Sequence, residues 1–261
     1  MKVTRSVIPS LFTIMNLFSG FIAIKLAFVD GDFVVAGWFI VLGGLFDMLD
    51  GMMARLTHSS SEFGVELDSL ADVVTFGVGP SAILYSAFFY QFGGVGLLLA
   101  ALPAMCGAIR LARFNVQLVG FDKDYFKGLP IPSAAILIVS YVAFQFVPMP
   151  LATRLNDIGM YIVTVGASLL MVSTIKYDTM PKPTASAIKA HPLKFAVFAI
   201  GVIASIVTKG SAIFPCFVLF VAFGIARAGW ERGNRFLKQR SATSLMDEEE
   251  LEREEESTFG M

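Results

Sequence analysis

Charge is scarce in this 261-residue chain, and cysteine and histidine are scarcer still. Asp, Glu, Lys and Arg together make up 16% of the residues, and many of those crowd beyond residue 230. So little charge does not suit the surface of a soluble domain. The net charge of −1 leaves no basic footprint for nucleic acid. The two cysteines, Cys106 and Cys216, lie inside apolar stretches with no CxxC spacing and no histidine nearby. They read as two buried thiols in helices, not as a redox pair or zinc site. The two histidines, His58 and His191, are too few and too scattered to build a metal centre between them. No small-residue cleavage motif follows the apolar run that begins near Val7, so that run reads as a span and not as a removable signal.

What the chain has is apolar sequence. It is 56% hydrophobic, with 25 Phe and a mean hydropathy of +0.71. The expected fold class is an all-α integral membrane protein that crosses the bilayer many times. Hydropathy marks eight spans, roughly 8–29, 33–56, 64–90, 94–117, 131–149, 157–176, 193–208 and 211–230. The third and fourth are interrupted at Gly77, Gly79, Pro80 and Pro103, breaks that membrane helices tolerate when neighbours satisfy the backbone.

The connections alternate in charge. One set holds Lys2 and Arg5, then Arg55 and His58, then Arg110, Arg113, Lys123 and Lys127. It continues with Lys176, Lys182, Lys189 and Lys194, and ends with Arg227 to Arg240. The other set holds Asp30 and Asp32, Gln91 to Gly94, Arg154 and Asp157, and Lys209. The positive-inside rule puts the first set and both termini in the cytoplasm, with the protein in the cytoplasmic membrane. The segment "KYDTMPKPTASAIKAHP" reads as a cytoplasmic connector, and the tail "MDEEELEREEESTFG" as a solvated charge run.

Against this background the stretch from Leu45 to Gly77 carries four aspartates. Asp47 and Asp50 are three apart and share a helix face, as do Asp68 and Asp72, four apart on the next helix. The two helices form a hairpin, so the faces can converge. Four converging carboxylates repel unless cations sit between them, and hard oxygen ligands suit Mg²⁺ or Mn²⁺. Two divalent ions balance four carboxylates. Gly51 and Ala54 leave room beside the acids, and Arg55 is a fixed cation suited to phosphate oxygens. Acids for metal, small residues for room and arginine for phosphate together point to a pyrophosphate site. A divalent-cation transporter is the rival from another class. It calls for acids at mid-bilayer and a polar track across the membrane, whereas these acids cluster near one face.

The stretch reads Asp47-x2-Asp50-Gly51-x2-Ala54-Arg55-x8-Gly64-x3-Asp68-x3-Asp72. It resembles the signature of the CDP-alcohol phosphotransferase family at all eight fixed positions. The resemblance implies a six-helix catalytic core over 1–176, followed by a loop at 177–192, two additional helices at 193–230 and a charged tail at 231–261. It implies transfer from a CDP-linked donor to an alcohol, with release of CMP. Asp47, Asp50, Asp68 and Asp72 are then the ligands of two metal ions, and Asp72 is also the base. Gly51, Arg55 and Ser61 contact the donor, as do Ser10, Leu11, Phe12 and Thr13 of "PSLFT" and Asn16.

Three further stretches, "TIMNLFSG", "AIRLARFNV" and "KGLPIPSAA", resemble the branch of the family that uses serine. They imply CDP-diacylglycerol as donor and L-serine as acceptor, with Arg110, Arg113, Asn115 and Lys127 around the acceptor. A serine carboxylate wants a guanidinium, and Arg110 and Arg113 lie about one helical turn apart. Many members of that branch carry Asn where this chain has Ser10. Glycerol 3-phosphate or an inositol phosphate are the alternative acceptors within the family. Relatives often form homodimers, which this chain shares as an expectation.

Overall fold

The computed structural model describes residues 3–57, 61–118, 126–147, 153–177 and 192–231. Nearly all of them are helical. Helix α1 (Val3–Lys25) ends in a π-helical turn, Leu26–Asp30, and a tight reversal leads to α2 (Phe33–Leu56). Asp32 starts α2 by accepting a hydrogen bond from the Val35 N–H at 3.0 Å, so an acid at the outer turn is a helix cap. The third rod is composite: α3 (Glu62–Asp72), a π-helical segment Val73–Val78, and α4 (Gly79–Ala87). After it come α5 (Gly93–Leu118), α6 (Ile131–Tyr141) with a π-helical end Val142–Phe146, and α7 (Thr153–Val172). Helices α8 (Pro192–Val207) and α9 (Ile213–Glu231) complete the described chain.

Among the described residues, eight apolar rods overlap the expected spans. Six are long and apolar enough to cross a membrane, and the fifth and seventh (Ile131–Phe146 and Pro192–Val207) are shorter. The chain is a multi-pass membrane protein. The composite third rod is the central one: 61% of its apolar window is buried, against 33% or less in the other five long spans. That accounts for its small residues. A Cβ on Gly77 would stand 3.2 Å from the Ala104 Cα of α5. Beside the Pro103 interruption, the Ala104 N–H donates to Ser81 Oγ at 3.2 Å, a side-chain partner at a proline break.

Two features close the ends of the bundle. Phe88, Phe89, Phe92, Phe146 and Tyr161 form an aromatic cluster at the end of the third rod away from the acids, Phe88 and Phe89 at 5.1 Å between ring centroids. At the other end a two-residue antiparallel pair joins β1 (Phe126–Lys127) to β2 (Lys176–Tyr177). Helix α7 stops at Val172, earlier than the expected 176, because the chain is drawn off into this pairing. Beyond it, α6 and the α8–α9 turn are tied by the Tyr141–Phe214 ring contact at 5.0 Å and by Gln145 Nε2 donating to the Ser211 carbonyl at 3.3 Å. From Val221 the chain forms a unit of its own, in which Arg227 Nε donates to Glu231 Oε1 at 2.9 Å. Residues 178–191 of the connector expected at 177–192, and the acidic tail, lie outside the described residues.

Candidate active site

The acids continue the inward stripes of their helices. In α2 the buried residues Ala36, Ile40, Gly43 and Asp50 recur at helical spacing, and Asp47 falls on the same stripe. In α3 the N-cap is Ser61, whose Oγ accepts from the Gly64 N–H at 3.1 Å. Capping fixes where α3 begins, and hence the direction in which Asp68 and Asp72 point.

Three carboxylates converge. Asp47, Asp50 and Asp68 each offer one oxygen, all within 4.8 Å of one another. Asp50 Oδ2 and Asp68 Oδ1 are buried and have no hydrogen-bond partner. Buried carboxylate oxygens without donors, facing other carboxylates, are unfavourable for a bare protein. The same arrangement fits a hard divalent cation, so the donor set suits divalent metal binding.

Asp72 lies outside the set of three acids whose oxygens are all within 4.8 Å of one another. It is 8% exposed, one helical turn further into the bundle, and Oδ1 accepts from Asn16 Nδ2 at 3.1 Å. It remains close enough to feel the charges of Asp47 and Asp68 and of the buried Arg110.

A cavity of about 240 Å³ opens beside the cluster, lined by Ser10, Thr13, Asp50, Gly51, Arg55, Ser61 and Asp68, together with Pro9, Ala54, Gly64 and Val65. That is below the usual size of a small-molecule pocket. Five of the expected donor residues are thus brought together: Ser10, Thr13, Gly51, Arg55 and Ser61. Three are not. Leu11 is 58% exposed, Phe12 packs toward Phe46 at 6.5 Å between rings, and Asn16 is held by Asp72. Helical rotation is the reason for the first two: residues 9, 10 and 13 share a face that 11 and 12 leave. Sequence reasoning missed Pro9 and Val65 as lining residues. The i,i+4 relation of each to Thr13 and Ser61 was the available signal.

The expected acceptor residues separate more sharply. Arg110 is 5% exposed and within reach of the charge of Asp72. Arg113 instead donates from Nη1 to the Val172 carbonyl at 3.0 Å and from Nη2 to the Ser173 carbonyl at 3.4 Å. It ties α5 to the C-terminus of α7, where a cation satisfies carbonyls that the helix leaves open. Asn115 donates from Nδ2 to Ser69 Oγ at 3.0 Å, linking α5 to α3 between Asp68 and Asp72. The Lys127 side chain lies outside the described residues.

The sequence profile of CDP-alcohol phosphatidyltransferases matches residues 6–175. The chain belongs to that family and is a membrane transferase of it. A CDP-diacylglycerol–serine O-phosphatidyltransferase of Helicobacter pylori is 43% identical over 175 residues, 67% of this chain and 73% of that protein. The enzyme of the same name from Bacillus subtilis is 38% identical over 178 residues, 68% of this chain and 93% of that one. Among solved structures, a Mycobacterium tuberculosis phosphatidylinositol phosphate synthase with CDP-DAG bound aligns with a TM-score of 0.48 at 21% identity, over 68% of this chain and 92% of that one.

Proposed function

We propose that the chain is a phosphatidylserine synthase, which transfers the phosphatidyl group of CDP-diacylglycerol to the hydroxyl of L-serine and releases CMP. The observation that carries this reading is the 43% identity over 175 residues to a relative named CDP-diacylglycerol–serine O-phosphatidyltransferase, alongside an acid cluster that lies within the family match at 6–175. Asp47, Asp50 and Asp68 hold the metal, as two ions of Mg²⁺ or Mn²⁺ with Asp72 contributing to the second. When bound, such ions neutralise the donor pyrophosphate and the charge that grows on departing CMP.

The chain's own residues do the rest. Arg55 and the open backbone at Gly51 receive the pyrophosphate, and Ser10, Thr13 and Ser61 line the nucleotide side. The serine hydroxyl attacks the phosphorus of the phosphatidyl group. An O–P bond to serine forms, the P–O bond to CMP breaks, and the hydroxyl proton passes to Asp72. The hydrogen bond that its Oδ1 accepts from Asn16 Nδ2 at 3.1 Å supports that role, since it fixes the orientation of the carboxylate. Arg110, buried beside Asp72, holds the acceptor carboxylate. No cysteine or histidine is needed as a covalent nucleophile, so displacement is direct.

The catalytic core spans 1–176, which agrees with a family match ending at 175, and 193–230 is an appended pair of helices. The acids open to the cytoplasm, in line with the basic loops at their end of the bundle. The test is purified protein in detergent with CDP-diacylglycerol, Mg²⁺ and a panel of serine, glycerol 3-phosphate and an inositol phosphate, scored by CMP release. Serine-dependent release is expected. Release with one of the other alcohols and none with serine assigns the chain to another acceptor.

A further inference from the structure

Asn16 is 0% exposed and lies outside the cavity that lines the donor residues. Its Nδ2 donates to Asp72 Oδ1 at 3.1 Å, yet its Oδ1 is buried with no hydrogen-bond partner. A buried carbonyl without a donor costs stability, and an apolar residue of similar volume would avoid that cost. Packing alone therefore does not call for an amide here. What the amide supplies is the donor to Asp72.

The surroundings hold that amide in place. Thr75, fully buried in the π-helical segment that directly follows Asp72, donates from Oγ1 to the Asn16 backbone carbonyl at 2.9 Å. The π-helical winding matters because it resets the faces of the rod just past Asp72, and such segments occur often at functional sites. From the third side α2 approaches through Gly43. A Cβ there would stand 2.6 Å from Thr75 Cγ2 and 3.0 Å from Asn16 Oδ1. Three helices thus clamp one side chain whose single polar partner among the described residues is the carboxylate of Asp72.

We infer that Asn16 is the positioning residue of Asp72, with Thr75 and Gly43 fixing Asn16 in turn. By holding Oδ1 it sets the plane of the carboxylate and so the direction from which the acceptor hydroxyl can deliver its proton. A neutral amide does this without adding a counter-charge. The inference rests on Asp72 being the proton acceptor of the proposed reaction.

The test uses full-length Asn16→Leu, Thr75→Val and Asp72→Asn in detergent with Mg²⁺. CMP release is measured with serine and CDP-diacylglycerol varied separately, and CDP-diacylglycerol affinity by calorimetry without serine. Asn16→Leu should lower kcat about 100-fold, the scale of a misplaced catalytic group, with donor Kd and both KM values within about threefold. Thr75→Val, which keeps the shape and loses the hydroxyl, should lower kcat about tenfold in the same pattern. An unchanged kcat in Asn16→Leu overturns the inference. So does a weakened donor Kd with kcat intact, which makes Asn16 a donor contact. If Asn16→Leu is not recovered folded, Asn16→Ser and Thr75→Val are judged by the same split. Asp72→Asn separates the two failures: retained turnover there removes Asp72 as the base. An inactive Asp72→Asn beside an unimpaired Asn16→Leu removes only the positioning.

Discussion

At the scale of single residues, the site is defined by which carboxylates lack partners. Asp50 Oδ2 and Asp68 Oδ1 are buried without donors, and Asp47 faces them. Excess chelator should therefore abolish CMP release, and Mg²⁺ or Mn²⁺ should restore it. Asp47→Asn, Asp50→Asn and Asp68→Asn should each weaken Mn²⁺ binding, read by the loss of free-ion spectroscopic signal on titration, and lower turnover by roughly 100-fold or more. Full activity in chelator would remove the metal from the reaction. The acceptor side makes a second prediction. Arg110 is buried beside Asp72, and a charge-assisted pair with the serine carboxylate should be worth about 2–3 kcal/mol. Arg110→Met should then raise the serine KM about 30-fold, at ~1.4 kcal/mol per decade, and leave the donor KM nearly unchanged. Kinetics with each substrate varied in turn checks this. A raised donor KM with serine unaffected would reassign Arg110 to the lipid phosphate.

At the scale of elements, the join between α5, β1–β2 and α7 explains residues that the serine-branch resemblance could only mark. Gly128 has φ of +88°, and a Cβ there would collide with the Met171 carbonyl oxygen at the end of α7. Its N–H donates to the Ile175 carbonyl at 2.8 Å. Gly128→Ala should cost at least about 1–2 kcal/mol from the left-handed backbone alone, lowering Tm by roughly 2–8 °C in a thermal melt. A wild-type melting curve would show that the turn can rearrange. Arg113 serves the same join, so Arg113→Met should lower Tm and raise the serine KM less than Arg110→Met does. The helices and the faces that Asp47 shares with Asp50, and Asp68 with Asp72, were legible in the sequence because they follow from spacing within one helix. The role of Arg113 was not, because its partner carbonyl at Val172 lies 59 residues away. The π-helical segments were not legible either. Each adds one residue to a turn, and only tertiary contacts such as Thr75 with Asn16 compensate for it. For Asp72, spacing gives the face it shares with Asp68, whereas its partner Asn16 lies 56 residues away in the sequence.

At the scale of the whole molecule, the reaction fixes which side of the membrane the acids must face. A nucleotide head group is charged and does not cross a bilayer unaided, so the site must open toward the compartment that supplies CDP-linked lipid. The basic residues Arg55, Arg110 and Arg113 sit at the acid end of their helices, and Asp30, Asp32 and the aromatic cluster at the other. The positive-inside rule then predicts that the acids face the cytoplasm. Cysteine labelling reads this directly once Cys106 and Cys216 are replaced by serine. Tyr90 is 61% exposed at the turn after α4, and Glu62 is exposed at the start of α3. One lies at each end of the same central rod, so the pair reports opposite faces whatever the other helices do. In intact cells a membrane-impermeant maleimide should modify Tyr90→Cys and spare Glu62→Cys, and after lysis it should modify both. Neither position lines the cavity or carries a catalytic group, so CMP release should persist in both variants and show that the labelled protein is folded. Labelling of Glu62→Cys from outside would invert the bundle. It would separate the acids from a cytoplasmic donor and leave the proposed transfer without its substrate.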